Sequence, residues 1–219
     1  MKDNGPIEIL VATTNEHKLG EMRAILGPLG IEVLGLGDIT EPVNACELPE
    51  PIEDADSFAG NARIKASYYA KALGRRCIAD DSGLVVDALH GEPGVYSARY
   101  AGIDGSRDKR DRANNEKLLR TLKERAVSAR ARQARFVCAM CLADKDGQIL
   151  AETHGEFAGV ITDEERGGNG FGYDPLLYIP ELGKTSAELT PVEKNARSHR
   201  GAAARAMAEK ILMLIRLEH

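Results

Sequence analysis

The stretch "IEILVATTNEHKLGEMRAILGPLG" (residues 7–30) decides the fold class that we predict. Its opening segment, "IEILVAT", is mostly apolar, which is typical of a buried strand. The segment that follows has apolar side chains at helical spacing, namely Leu19, Met22, Ile25, Leu26 and Leu29. Gly30 ends this pattern, as glycine often ends a helix. A strand, a loop and a helix in this order indicate an α/β domain.

Later segments continue the alternation of helices and strands. "SFAGNARIKASYYAKAL" (57–73) predicts a helix capped by Ser57, and "RCIADD" and "SGLVVDAL" predict two strands joined by a turn at Ser82-Gly83. The charged segment 107–132 has a narrow leucine stripe, which indicates a helix with one solvated face. "ARFVCAMCLADKDGQILAETHGEFAGVI" predicts a β-hairpin whose turn contains "DG".

The last third of the sequence predicts a loop and two helices. The loop is the glycine-rich segment "GGNGFGYD" (167–174). The first helix begins at Thr190-Pro191, with Glu193 completing a capping box, and Ser198 caps the second helix. We find no repeat or linker-like composition, so we predict one α/β domain with two lobes over residues 1–219.

Charge and hydropathy exclude several classes of protein. The 34 acidic and 29 basic residues give a net charge of −5, and no long run of Lys or Arg is present to follow a nucleic-acid backbone. The longest apolar runs, such as "ILMLI" (211–215), are far shorter than the roughly 20 residues that cross a bilayer. The first residues are too acidic for a signal peptide. We therefore expect a soluble cytoplasmic protein with no nucleic-acid or membrane partner.

The four cysteines do not form the framework of a disulfide-rich secreted protein and are expected to be reduced. The pair "CAMC" is compatible with a zinc or redox site. However, an odd spacing of three along a strand places the two thiols on opposite faces, and a zinc site would need a second pair of ligands. We therefore expect Cys138 and Cys141 to be small buried hydrophobic residues.

Two adjacent aspartates in "ADDSG", Asp80 and Asp81, are the first candidates for chemistry. In an extended segment their side chains point to opposite faces, so one can face a ligand while the other braces the turn. Adjacent acids at the end of a strand commonly bind a hard cation such as Mg²⁺. Ordinary turn chemistry is the alternative interpretation.

Two loops carry features suited to a phosphate or a base. "TTNEHK" (13–18) lies between a strand and a helix, where backbone N–H groups and the helix dipole favour phosphate and Lys18 adds a charge. The alternative is that Asn15 is only a helix cap. "GGNGFGYD" allows close backbone approach, with Phe171 as a stacking surface and Asp174 as a hydrogen-bond acceptor. A plain hairpin loop is the alternative there.

A basic cluster completes the set of candidate segments. "EKNARSHR" (193–200) places Lys194, His199 and Arg200 around the starts of two helices, where they can bind anionic oxygens or form a solvated basic face. A cation site, a phosphate-type loop, a stacking loop and a basic cluster together suggest a metal-bound nucleoside polyphosphate.

These segments resemble the inosine triphosphate pyrophosphatase family, the dITP/XTP pyrophosphatases that clear oxidised or deaminated purine nucleotides. The matching stretches, in the family's order, are "ATTNEHKLGEM", "FAGNARIKA", "ADDSGLVVDALHGEPGVYSARYAG", the hairpin, and "GFGYDPLLYIPELGKTSAELTPVEKNARSHRG". The resemblance implies an elongated two-lobed α/β fold with a long mixed β-sheet flanked by helices, an active-site cleft between the lobes, and a homodimer. It also implies Mg²⁺-dependent hydrolysis of ITP, dITP or XTP to the monophosphate and pyrophosphate.

The resemblance also implies roles for individual residues. Asp81 corresponds to the general base and a metal ligand, Glu53 to the other metal ligand, and Lys18 to a catalytic residue. The residues implied to contact the substrate are Thr13, Thr14, Asn15, Glu16, His17, Lys18, Ser82, Phe171, Gly172, Tyr173, Asp174, Lys194, His199 and Arg200.

Two segments depart from the family's usual pattern: Thr14 replaces a commoner small residue in the phosphate loop, and the segment that begins at Glu53 differs at two positions. Where the family reads Glu-x-Gly-x-Thr/Ser-Phe-x-Glu-Asn-Ala, this sequence reads "EDADSFAGNA", with Ala55 for the Gly and Gly60 for the second Glu. Glycine weakens a helix interior, so Gly60→Glu should stabilise the helix unless close packing requires glycine there. A pyrophosphatase for another modified nucleotide and a nucleotide-binding sensor with weakened catalysis are the alternative functions.

Overall fold

The computed structural model of the protein describes residues 7–41 and 44–217. The strands in these residues are β1 (Ile7–Val11), β2 (Ile31–Gly35), β3 (Cys77–Val86), β4 (Gln133–Ala143), β5 (Ile149–Ile161), β6 (Leu177–Ile179) and β7 (Lys184–Thr185). The α-helices are α1 (Glu16–Leu26), α2 (Phe58–Leu73), α3 (Arg107–Glu124), α4 (Pro191–Arg197) and α5 (His199–Leu217). No helix in the described part of the chain is long and apolar enough to cross a membrane.

The strands form one mixed sheet in the order β2-β1-β3-β4-β5-β6-β7. β1 pairs in parallel with both β2 and β3, whereas β6 pairs antiparallel with both β5 and β7. β4 and β5 are neighbours joined by a short turn in which the N–H of Gly147 donates to the carbonyl of Asp144 (2.9 Å), so the predicted hairpin is confirmed. The predicted α/β class with a mixed sheet and flanking helices is confirmed as well.

Two predictions about the middle of the chain are wrong. No turn interrupts β3, which continues through Ser82 and Gly83. Gly83 is a glycine because the chain passes close to it: a Cβ there would lie 2.6 Å from the carbonyl oxygen of Gly94. The predicted helix over residues 107–132 ends at Glu124, because Ala126 adopts a left-handed conformation with a φ of 51°.

The chain divides into two compact units. The first comprises Met1–Asp81, Cys138–Gly155 and Arg200–His219. The second comprises Ser82–Val137 and Glu156–His199. Since the boundaries fall inside β3, β4 and β5, each of these strands contributes residues to both units.

Each unit has its own apolar core. In the first unit, alternate residues of β1 belong to two different clusters: Ile9 packs in a cluster with side chains of α1 and α5, and Leu10 packs in one with side chains of α2. Cys138 belongs to the first cluster and Cys141 to the second, and both are fully buried, as predicted. In the second unit, leucines of α3 pack against apolar side chains of the neighbouring strands, including Phe157.

Candidate functional site

Strand alternation along β3 gives Asp80 and Asp81 different surroundings. Ile78 belongs to the cluster that contains α1 and α5, and Ala79 to the cluster that contains α2. Because side chains alternate along a strand, Asp80 lies on the α1 and α5 side and Asp81 on the α2 side. Asp80 is 5% exposed, whereas Asp81 is partly exposed. The predicted opposite orientation of the two carboxylates is therefore confirmed.

Asp80 belongs to a buried ion-pair network. Its Oδ2 lies 2.8 Å from Lys18 Nζ and 3.4 Å from Arg200 Nη2, and Arg200 Nη1 lies 2.5 Å from Glu21 Oε2. Burial alone would raise the pKa of Asp80, but the positive charges of Lys18 and Arg200 outweigh it and hold the pKa well below its usual range. Asp80 is thus an ionised anchor for two residues that the sequence assigned to the substrate.

Arg200→Met is expected to destabilise the protein by about 3 kcal/mol, because it leaves the Asp80 and Glu21 carboxylates without their buried cation. Urea denaturation measures the free energy of unfolding. The control is Arg216→Met, which changes an exposed arginine of the same helix. Equal unfolding free energies for the two variants would contradict this account of the network.

Asp81 is contacted by two residues of α2. Asn61 Nδ2 donates to Asp81 Oδ2 at 3.1 Å, and Lys65 Nζ lies 3.5 Å from Asp81 Oδ1. Burial raises the pKa of Asp81, and the charge of Lys65 and the Asn61 hydrogen bond offset this only in part. A raised pKa makes this carboxylate a better proton acceptor than an ordinary aspartate.

The predicted metal ligands are brought together by Lys65. Its Nζ is 3.1 Å from Glu53 Oε2 as well as 3.5 Å from Asp81 Oδ1, so both carboxylates converge on one positive charge. Mg²⁺ is usually held by one or two carboxylates together with water and substrate phosphates, which this donor set fits. Within the described residues no group of three or more His, Cys, Asp or Glu side chains is arranged to hold a metal ion.

Asn61 and Lys65 are retained from the family pattern, and Asn61 was expected to frame the site with Glu53 and Asp81, but neither was assigned a role in binding or catalysis. The signal that identifies them is their spacing of four on α2, which places both on one face of the helix. Strand alternation then turns Asp81 toward the same helix. The two observations become informative only when combined, because neither residue type is diagnostic alone.

Close packing explains the glycine at position 60. A Cβ at Gly60 would lie 2.5 Å from the Cβ of Ala55, which is closer than carbon atoms approach in proteins. Ala55 is itself the residue that replaces the family's usual glycine. The replacements at positions 55 and 60 therefore compensate for each other. Because close packing requires glycine at position 60, Gly60→Glu is not expected to stabilise the helix.

Gly60→Glu alone is expected to lower the free energy of unfolding by about 1 to 3 kcal/mol, the usual cost of overpacking. The double variant Ala55→Gly/Gly60→Glu removes the overlapping methyl group and should recover most of that loss. Urea denaturation of both variants decides the point. A single variant as stable as the wild type would show that the segment relaxes freely.

The loop from Thr13 to Lys18 is organised by Asn15. The Asn15 side-chain oxygen accepts hydrogen bonds from the N–H groups of His17 (3.1 Å) and Lys18 (3.4 Å), so Asn15 caps α1. Its own N–H donates to Thr13 Oγ1 at 3.1 Å. Thr14, like Glu16 and His17, is exposed. Contact of this loop with phosphate stays a prediction.

In the second unit, Asp174 holds the glycine-rich loop in place. It accepts hydrogen bonds from the N–H of Phe171 (2.8 Å) and from Ser186 Oγ (2.7 Å), and Lys194 Nζ lies 2.6 Å from its Oδ2. A Cβ at Gly170, whose φ is 79°, would overlap this carboxylate. The ring of Phe171 is partly exposed, with Lys194 Nζ 5.0 Å from its centroid.

Other predicted contacts in this unit differ in burial. Tyr173 is 4% exposed and donates its hydroxyl to the carbonyl of Ser97 at 2.9 Å, and burial raises its pKa. His199 is 5% exposed and stacks on Phe136 with ring centroids 4.9 Å apart. Ser82 is partly exposed. Their contacts with a substrate stay predictions.

The sequence of this chain is similar to one family and to named proteins of two bacteria. Residues 9–210 match the Ham1 family. A protein of Exiguobacterium sibiricum named dITP/XTP pyrophosphatase is 48% identical over 90% of this chain and 93% of its own length. One with the same name from Rhodopirellula baltica is 44% identical over 97% of this chain and 96% of its own.

A solved structure of a HAM1 protein is similar to this chain as well. A HAM1 protein from Coxiella burnetii superimposes with a TM-score of 0.81 and is 37% identical. The match covers 94% of this chain and 99% of that protein. The similarity therefore extends over the fold and nearly all of the sequence.

Proposed function

The chain belongs to the Ham1 family, and on this basis we propose that it hydrolyses non-standard purine nucleoside triphosphates, namely ITP, dITP and XTP, to the monophosphate and pyrophosphate. Relatives that share 44% to 48% of its residues are named dITP/XTP pyrophosphatases. The observation that carries the proposal is the setting of Asp81, whose Oδ1 lies 3.5 Å from Lys65 Nζ, while the same Nζ lies 3.1 Å from Oε2 of a second acid, Glu53.

In the proposed reaction, Asp81 accepts a proton from water as the water oxygen attacks the α-phosphorus. A bond forms between the water oxygen and phosphorus, and the bond from phosphorus to the bridging oxygen of the β-phosphate breaks. Pyrophosphate leaves with the electron pair. Lys18 and Lys65 provide positive charge that stabilises the negative charge on the phosphates.

We assign Glu53 and Asp81 as the residues that would hold the metal, and we take this metal to be Mg²⁺. When bound, the ion would supply charge neutralisation at the phosphate oxygens. Lys65 keeps the two acids close together by pairing with both of them. A homodimer in the cytoplasm, as the resemblance implies, is part of the same proposal.

Phe171 and its loop provide the proposed contacts to the base. The Phe171 ring is the stacking surface, and neighbouring donors hydrogen-bond the 6-oxo group of the purine. Asp174 and Lys194 contribute by holding this loop in one conformation through their buried ion pair.

The function is tested by comparing kcat/KM for ITP, XTP, dUTP and dTTP in the presence of Mg²⁺. The proposal expects ITP and XTP to be strongly preferred. Faster hydrolysis of dUTP would favour a pyrophosphatase for another modified nucleotide. Binding of ITP without turnover would favour a sensor, the alternative motivated by Gly60 in place of the family's Glu.

A further inference from the structure

One face of α3 contacts the loop that carries Phe171. Arg107, Asp111 and Asn115 follow one another at intervals of four residues, so their side chains lie on the same face of the helix. All three contact Phe171 or Gly172. These residues lie outside the segments that carry the family resemblance.

Asp111 and Asn115 fix the backbone of Gly172 from both sides. Asp111 Oδ2 accepts a hydrogen bond from the N–H of Gly172 at 3.0 Å, and Asn115 Nδ2 donates to its carbonyl at 3.2 Å. Asn115 also donates to Glu165 Oε1 at 2.6 Å. Gly172 has a φ of 61°, a conformation that most residues avoid. Glycine restricts the backbone less than any other residue, so the two hydrogen bonds from α3 fix the conformation of the loop at this position.

Arg107 acts on the neighbouring ring. Its guanidinium carbon lies 4.9 Å from the centroid of the Phe171 ring, within the range of a cation–π contact. Its Nε lies 3.8 Å from Asp111 Oδ2, an ion-pair distance that is too long for a hydrogen bond, so the aspartate that accepts from the Gly172 N–H also attracts the guanidinium. The position of the ring is therefore coupled to the first turns of α3.

We propose that Arg107, Asp111 and Asn115 are positioning residues that fix Phe171 as the stacking surface and so set the affinity for the nucleobase. The inference rests on the proposed function in one respect, namely that Phe171 receives the base. A surface that is already ordered loses less conformational entropy when a ligand binds, so its affinity is higher. Loss of these contacts should weaken binding of the base and leave binding of the phosphates unchanged.

The helix offers a matched control. Arg107 and Asp111 form an i,i+4 pair with an N–O distance of 3.8 Å, and Arg120 and Glu124 form another at 3.9 Å whose side chains are 66% and 67% exposed. Arg107→Ala/Asp111→Ala and Arg120→Ala/Glu124→Ala each remove one positive and one negative charge from α3. A difference between the two variants therefore reports the contact with the loop.

The measurement is the dissociation constant of ITP and of inorganic tripolyphosphate, obtained by calorimetry in EDTA to prevent hydrolysis. The Arg107→Ala/Asp111→Ala variant should bind ITP about tenfold more weakly, since a cation–π contact and the ordering of one loop are lost. Its affinity for tripolyphosphate should be unchanged. The Arg120→Ala/Glu124→Ala variant should bind both ligands within about twofold of the wild type.

Two further variants guard against a general loss of structure. Arg107→Ala alone removes a side chain that is 38% exposed and should keep the melting temperature while weakening ITP binding about threefold. Arg107→Lys retains a cation above the ring and should restore most of the affinity. Weaker ITP binding at an unchanged melting temperature, with recovery in Arg107→Lys, distinguishes a positioning role of Arg107 from a role in the stability of the fold.

Three results would each overturn the inference. The first is an unchanged dissociation constant for ITP in Arg107→Ala/Asp111→Ala and Arg107→Ala, and the second is an equal loss of affinity for ITP and for tripolyphosphate in these variants. The third is the absence of ITP binding by the wild type. Turnover of ITP by the wild type with Mg²⁺ is measured separately. An inactive wild type whose ITP affinity still depends on Arg107 would overturn the proposed function and support this inference. An active wild type whose ITP affinity does not depend on Arg107 would support the proposed function and overturn this inference.

Discussion

Asp81→Asn is expected to lower the turnover of ITP by about 10²- to 10⁴-fold, the usual effect of losing a general base. The amide has nearly the same shape as the carboxylate, but it cannot accept the proton of the attacking water. Glu53 remains paired with Lys65 at 3.1 Å, so the fold and nucleotide binding should persist. Loss of the metal would enlarge the effect.

The experiment measures kcat and KM for ITP at saturating Mg²⁺, together with the melting temperature. Asp87→Asn is the matched control, because Asp87 is an exposed aspartate directly after β3. It forms its ion pair with Arg135 at 2.8 Å, outside the proposed site. Near-normal turnover of Asp81→Asn would refute the assignment of the base.

A preference for ITP over ATP of about 10⁴ in kcat/KM is the second large effect that we expect. Donors that hydrogen-bond the 6-oxo group would face the amino group of adenine and remain unpaired, which is costly in a buried site. The N–H groups of Phe171 and Gly172 are bonded to Asp174 and Asp111. We therefore propose His199, a predicted substrate contact, as the donor to the 6-oxo group.

His199→Phe tests this assignment, because phenylalanine retains the stacking on Phe136 but cannot donate a hydrogen bond. The ratio of kcat/KM for ITP to that for ATP should fall in the variant, mainly through loss of ITP activity. Equal efficiencies for ITP and ATP in the wild type would refute the preference. An unchanged ratio in the variant would assign the donor elsewhere.

Local features of the fold were predictable because their causes lie within a few residues. Ser57 caps α2 through the N–H of Gly60, and Thr190 forms the capping box with Glu193, as their sequence spacing indicates. Ser82-Gly83 was misinterpreted as a turn. The reason for glycine at that place is the approach of the Gly94 carbonyl, which no local pattern reveals.

The sequence indicates which charged residues belong to the candidate site, but it does not indicate which side chains they contact. Arg200, Asp174 and Lys194 were predicted to contact the substrate, which stays a prediction, and the structure places each of them in a buried ion pair. A charged residue that binds a partner side chain has the same chemistry as one that binds a substrate, so sequence alone does not separate the two. The contact of Asp111 with the Gly172 loop was missed for a different reason, because it spans 61 residues of sequence and no local pattern indicates it.

Identification of the products of ITP hydrolysis tests the central claim most directly. The wild-type protein, incubated with ITP and Mg²⁺ and followed by phosphorus NMR, should yield one pyrophosphate for each inosine monophosphate, with no diphosphate nucleotide. The Asp81→Asn variant, treated identically, controls for contaminating phosphatases. Release of orthophosphate with inosine diphosphate would contradict attack at the α-phosphorus and with it the proposed function.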